Sequence, residues 1–160
     1  MEAEEIRNYC LNKKGVTEGF PFDETTLVFK VGGKMFLLMA LEKQPLVFSA
    51  KNTADYNEEL REQYYQISGA YHMNKTHWNS VICEGLKPEF IKKLIDDSYQ
   101  LVYESLTKKI KLEILIHKKS IQNFLNAFCF IKHLYQDAVL LLCNVREDVQ
   151  VQIFWSFSFE

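Results

Sequence analysis

A glycine pair, Gly32-Gly33, separates two apolar runs, "TLVFKV" and "KMFLLMAL". Adjacent glycines supply positive φ at both centres of a primed two-residue turn, whose twist matches that of paired strands. The stretch predicts a β-hairpin, and a hairpin commits the chain to an antiparallel sheet with a face to bury. Pro45 separates the second run from a third, "PLVFSAK", so three antiparallel strands are expected. In "KMFLLMAL" both alternating sets are apolar: Phe36, Leu38 and Ala40, then Met35, Leu37, Met39 and Leu41. A half-exposed strand would alternate with polar residues. Both faces of this strand are therefore expected to be covered, either within the chain or by another subunit.

Helices flank these strands. Residues 2–14 carry Glu2, Glu4 and Glu5 at the start and Lys13 and Lys14 at the end, as the helix dipole favours, and Gly15 supplies a stop. Ile6, Tyr9 and Cys10 make the stripe that would lie on a sheet. Asn52 or Thr53 can cap a second helix running to about Tyr65. A strand is expected in "HWNSVICE", and Pro88 opens a third helix with Ile91, Leu94, Ile95, Ser98, Leu101, Val102 and Ser105 on one face. The pattern predicts a two-layer α+β domain, an antiparallel sheet with helices on one face, in α-β3-α-β2-α order over residues 1–110.

Residues 111–160 change character, with no Gly and no Pro. Ile121, Phe124, Leu125, Phe128 and Ile131 recur at helical spacing. "VQVQIFWSFSF" alternates as a strand would, and residues 144–148 could turn a hairpin before it. The segment is either an extension of unassigned affiliation or a translation in a slipped frame.

A chain of 160 residues with 48% hydrophobic and 25% charged residues is that of a globular protein of one domain, with or without an appendage. The net charge of -2 excludes a broad basic footprint, so any polyanion would be met by a local patch. Cys10, Cys83, Cys129 and Cys143 form no CxxC pair, and the acidic N-terminus has no apolar signal region. No apolar run reaches the length of a membrane span. A cytoplasmic location with reduced thiols and no membrane partner is expected.

Chemistry-bearing residues concentrate in "GAYHMNKTHWNSV", and no acid occurs from Gln63 through Cys83. His72 and His77 are five apart, which suits neither a helix face nor alternate strand positions, and no nearby acid or thiol completes a metal set. Cys83, Ser80 and the two histidines form no ordered nucleophile–base–orienter chain. The pairs Asp96-Asp97 and Asp23-Glu24 fit a solvated helix face and a turn, and "KVGGKMF" lacks the spacing of a phosphate loop. The expectation is no enzyme activity, no metal and no cofactor. Two readings of the stretch remain. His72, Asn74, Lys75 and His77 beside Trp78, joined by Lys34 after the glycine turn and Lys51 after the third strand, offer cations, amides and rings to a nucleic acid. Alternatively Trp78 and His77 are core residues under a loop, and Asn74 satisfies backbone groups in a turn.

The segments "GVTEGFPFDETTLVFKVGGKMF", "ELREQY", "YHMNKTHWNSV" and "LIDDSYQLV" resemble the MmcQ/YjbR family of small bacterial proteins over about residues 1–110. The resemblance implies a fold similar to frataxin-like or secretion-chaperone-like domains. It also implies DNA binding through two projecting wings. DNA is the partner expected from it. The alternative is a protein-interaction module, forming a homodimer or holding a client on the second face of "KMFLLMAL".

Overall fold

The computed structural model describes residues 1–116. These form one compact unit. The helix expected from Ile121 onward and the hairpin after it lie outside the described residues.

Helix α1 spans Ala3–Leu11. Glu5 accepts a hydrogen bond from the Glu2 backbone N–H at 2.8 Å, which satisfies one orphan donor of the first turn. Ile6 and Cys10, one turn apart, are fully buried. Burial pushes the Cys10 thiol up to about 12. Gly15 then reverses the chain at φ +66°.

The sheet has six strands in the order β1-β2-β3-β4-β6-β5, and every adjacent pair is antiparallel. They are β1 (Val16–Gly19), β2 (Thr26–Val31), β3 (Lys34–Ala40), β4 (Val47–Lys51), β5 (Ile67–Gly69) and β6 (Trp78–Ile82). Helix α2 (Ala54–Gln63) follows β4, and α3 (Pro88–Glu104) follows β6. The α+β class and the helix-strand alternation agree with the sequence pattern. The first strand block holds four members rather than three. The added strand β1 reads "VTEG", too short and polar to announce itself, and pairs with β2 from Val16 opposite Val31 to Gly19 opposite Val28. Arg7 of α1 fixes it by clasping Glu18, with Nε 2.8 Å from Oε2.

The glycine turn behaves as its sequence requires, with φ of +55° at Gly32 and +80° at Gly33. Lys34 stands opposite Val31 across it. Further along, the pairing slips: Lys30 opposes Met35 and Phe29 opposes Leu37, so Phe36 is an extra residue in a β-bulge. The bulge puts consecutive residues, Phe36 and Leu37, into the core. Part of the doubly apolar pattern of this strand is therefore a register shift.

Helices pack on one face. Phe29, Leu37, Met39 and Phe48 of the sheet meet Ile91, Leu94 and Ile95 of α3. Tyr9 of α1 donates to both Asp96 oxygens, at 3.0 and 2.9 Å, and the Lys13 ammonium pairs with the same carboxylate. Asp96 thus fastens α1 to α3. A helix beginning at Lys108 reaches Ile116 at the end of the described residues, and its Ile110 and Ile114 pack against the core. No helix among the described residues is long and apolar enough to cross a membrane.

One buried polar residue on α3 explains how the bulge is tolerated. β3 and β4 pair from Ala40–Val47 to Leu37–Ala50, so Phe36 and Lys51 would be opposed next. Instead the Ser98 hydroxyl donates to the Phe36 carbonyl and accepts from the Lys51 N–H at 2.8 Å. Ser98 is fully buried. It satisfies two backbone groups just beyond the last β3–β4 pair, one of them on the bulged residue.

Candidate functional site

The sheet face opposite the helices carries Thr26, Lys30, Leu38, Ala40, Val47, Ser49, Lys51, Trp78 and Ser80, as strand alternation and the register require. Two loops flank it. One joins β1 to β2 and contains "FPFDET"; the other joins β5 to β6 and contains "AYHMNKTH".

The β1–β2 loop is organised by Asp23. Its Oδ1 accepts from the backbone N–H groups of Thr25 and Thr26 at 2.8 and 2.6 Å, and both threonine hydroxyls also bond its carboxylate. These hydrogen bonds, led by that from the Thr25 backbone, hold the Asp23 carboxyl below its ordinary range. Phe22, one residue earlier, is 61% exposed.

The β5–β6 loop is held from below. Asn74 accepts from the Thr76 N–H through Oδ1 at 2.9 Å, and its carbonyl accepts from the N–H groups of His77 and Trp78. This is a turn closed by an asparagine. Three successive loop carbonyls then meet donors at either end of α2. Lys75 O accepts from Arg61 at 2.8 Å, Thr76 O from the Asn57 side chain at 3.1 Å, and His77 O from the Asn52 backbone at 2.8 Å. Asn79 completes the network, accepting from Arg61 at 3.2 Å and donating to Asn57 O at 3.1 Å. Asn57 and Asn79 are both buried.

Two grooves lie on this face. The first, of ≈ 570 Å³, is lined by Pro21, Phe22, Lys30, Gly33, Lys34, Met35, Lys51, Met73 and Trp78. It has three lysines and aromatic walls, and no carboxylate in its lining. The second, of ≈ 640 Å³, has an apolar floor of Leu38, Ala40 and Val47. Beside that floor the Ser49 and Ser80 hydroxyls share a hydrogen bond of 3.1 Å. Tyr71, His72, Thr25, Thr26, Asp23, Glu42 and Lys43 are among its other lining residues. Phe22 and Met73 line both grooves.

The structure sorts the residues singled out from sequence. Lys34, Lys51 and Trp78 meet in the first groove, and His72 lines the second. Asn74, Lys75 and His77 are exposed on the loop but line neither groove. Asn74 is committed to its turn, and the Lys75 stem lies where a side chain at Gly69 would go, within 3.2 Å. Trp78 is only 7% exposed, so it serves as a packed wall rather than an open platform. Lys34 sends its ammonium to Ser105 at the C-terminal end of α3, 3.1 Å from the carbonyl oxygen and 3.2 Å from the hydroxyl, where the helix dipole favours a cation. It is thus not a free cation at a loop tip. Lys30 and Phe22 were missed by sequence reasoning. The signal for Lys30 was a cation between Phe29 and Val31, on the outward phase of a strand. Neither Lys30 nor Lys51 forms an ion pair among the described residues.

Among the described residues no group of three His, Cys, Asp or Glu side chains is placed to share a metal ion. Cys83 is buried, and burial pushes its thiol up to about 11.

The sequence model of the YjbR family matches residues 11–101, from the end of α1 through most of α3. The chain belongs to the YjbR family. The YjbR protein of Escherichia coli K12 is 30% identical over 118 residues, covering 72% of this chain and 98% of that protein. The YbdF protein of Escherichia coli O157:H7 is 37% identical over 92 residues, covering 56% of this chain and 75% of its own length. Among solved structures, protein DR2400 of Deinococcus radiodurans, assigned to domain family DUF419, superposes with a TM-score of 0.66 at 36% identity, covering 69% of this chain and 86% of that one. A Pseudomonas syringae protein superposes at 0.56 with 26% identity, over 64% of this chain and 99% of that one. Both flanking loops and all three groove lysines lie inside the YjbR match.

Proposed function

We propose that this YjbR-family chain is a non-enzymatic DNA-binding protein that uses the helix-free face of its sheet. The observation that carries the reading is the first groove: Lys30 and Lys51 unpaired among the described residues, Lys34 at the rim, Phe22 and Trp78 as walls, and no acid in the lining. Ammonium groups neutralise phosphates, and the rings exclude water beside them. Overall charge gives no help, since the chain carries a net charge of -2. The binding is accordingly local and salt-sensitive.

Fluorescence anisotropy of labelled DNA with the full chain tests this directly. Two to three neutralised phosphates give a slope of log K against log salt of about -2 to -3. Lys30→Ala and Lys51→Ala should each reduce that slope by about 1. Lys34→Ala should reduce it less, because its ammonium is already held by Ser105. A slope near zero, or one untouched by both substitutions, would falsify phosphate contact at this groove.

A second reading is favoured by the apolar floor of the second groove, Leu38, Ala40 and Val47, with Phe22 exposed beside it. Such a surface suits a client segment or a second copy of the chain. Sedimentation of the chain as a dimer that Leu38→Asp dissociates would support it.

A further inference from the structure

The two grooves, together the trough, adjoin at Phe22 and Met73, which line both. Their linings differ. One carries the lysines; the other carries an apolar floor and a hydroxyl pair, with His72, Lys43, Asp23 and Glu42 also in its lining. Two aromatic side chains, on the opposite flanking loops, remain open to solvent: Phe22 at 61% and Tyr71 at 82% exposure. The Tyr71 ring is braced edge-on by His72, with ring centroids 4.7 Å apart.

We propose that the trough takes single-stranded rather than duplex nucleic acid, with phosphates at Lys30 and Lys51 and unstacked bases against Phe22 and Tyr71. This rests on the polyanion reading above and sharpens it. In a duplex the base faces are hidden against one another, so exposed rings on loops gain nothing from them; in a single strand the faces are free. Magnitudes point the same way. Duplex binding draws its strength from many phosphate contacts, and two or three lysines release too few counterions for a useful affinity at moderate salt. Stacking does not depend on cation number. The apolar floor of the trough suits a base, and the Ser49 and Ser80 hydroxyls can exchange their mutual hydrogen bond for one to a base edge.

The test compares a fluorescein-labelled thymidine 12-mer with a labelled 12-base-pair duplex, both titrated with the full chain at low and moderate salt. The single strand is expected to bind at least about tenfold more tightly. Phe22→Ala and Tyr71→Ala should each weaken single-strand binding about 5- to 100-fold and leave the unfolding midpoint unchanged, and Tyr71→Ala should leave duplex binding unchanged. Lys30→Ala and Lys51→Ala should weaken both. Duplex binding as tight as single-strand binding, with both aromatic substitutions neutral, overturns the single-strand assignment and leaves the polyanion reading standing. Binding of neither probe overturns both.

Discussion

Ser98→Ala lowers the free energy of unfolding by about 2–4 kcal/mol, an effect out of proportion to the loss of one oxygen atom. The serine hydroxyl serves two backbone groups at once, the Phe36 carbonyl and the Lys51 N–H. Both lie just beyond the last β3–β4 pair, beside the bulge in the β2–β3 pairing, and α3 covers them. With alanine there, each group is left unsatisfied, at about 1–3 kcal/mol apiece. The small cavity adds little. Urea denaturation gives the measurement: the midpoint falls while the slope with denaturant stays constant. A loss below about 0.5 kcal/mol would mean that Phe36 and Lys51 close directly on one another, and that the serine is dispensable. The substitution also bears on the site, since the Ser98 bond anchors the backbone of Lys51. A loosened Lys51 should bind DNA less well at temperatures where the variant is still folded.

Asn79→Ala has the second large effect, about 2–3 kcal/mol, and it falls mostly on the β5–β6 loop. Asn79 is buried between Arg61 and Asn57, accepting from one and donating to the other. Its removal leaves the Asn57 carbonyl without that donor and takes one partner from a charged guanidinium, the more costly kind of loss. Arg61 and Asn57 in turn hold the Lys75 and Thr76 carbonyls, so the loop loses its footing on α2. Hydrogen exchange should accelerate at the His77 and Trp78 amides, which bond Asn74 O within the loop. Global stability lost without faster exchange there would contradict the view that this network is the anchor of the loop.

Much of the fold was legible because its signals are local. Gly32-Gly33 announces a turn that needs positive φ, and the stripe from Ile91 to Val102 announces a helix with one buried face. The missing strand β1 offers only one apolar residue, Val16, in four. Its place is set by pairing with β2 and by the Arg7–Glu18 ion pair, neither of which a local pattern encodes. The bulge was hidden for a related reason. Phe36 and Leu37 read as opposite phases of one strand, and only the slip between Lys30–Met35 and Phe29–Leu37 sends both inward.

The site was half legible. The loop "AYHMNKTH" was recognisable as special, and the Asn74 turn follows from asparagine chemistry. The structure divides that loop between the two readings. Asn74 and Trp78 serve the turn and the packing, whereas Lys75 and His77 are exposed. What holds the loop was illegible, because Asn52 lies just after β4, Asn57 and Arg61 lie in α2, and Asn79 lies in β6. Lys30 reads in the sequence only as a strand residue, and nothing in the sequence shows that the C-terminal end of α3 claims the Lys34 ammonium. A cation's availability depends on its partners in space.

The most direct test of the account is where DNA touches the protein. The ¹⁵N-labelled full chain is titrated with DNA, as single strand and as duplex, while backbone amide shifts are followed by NMR. The account predicts the largest shifts at Lys30, Met35, Lys51, Met73 and Trp78, around the acid-free groove. Shifts concentrated on the exposed faces of α1, α2 or α3, or none at saturating DNA, would contradict it.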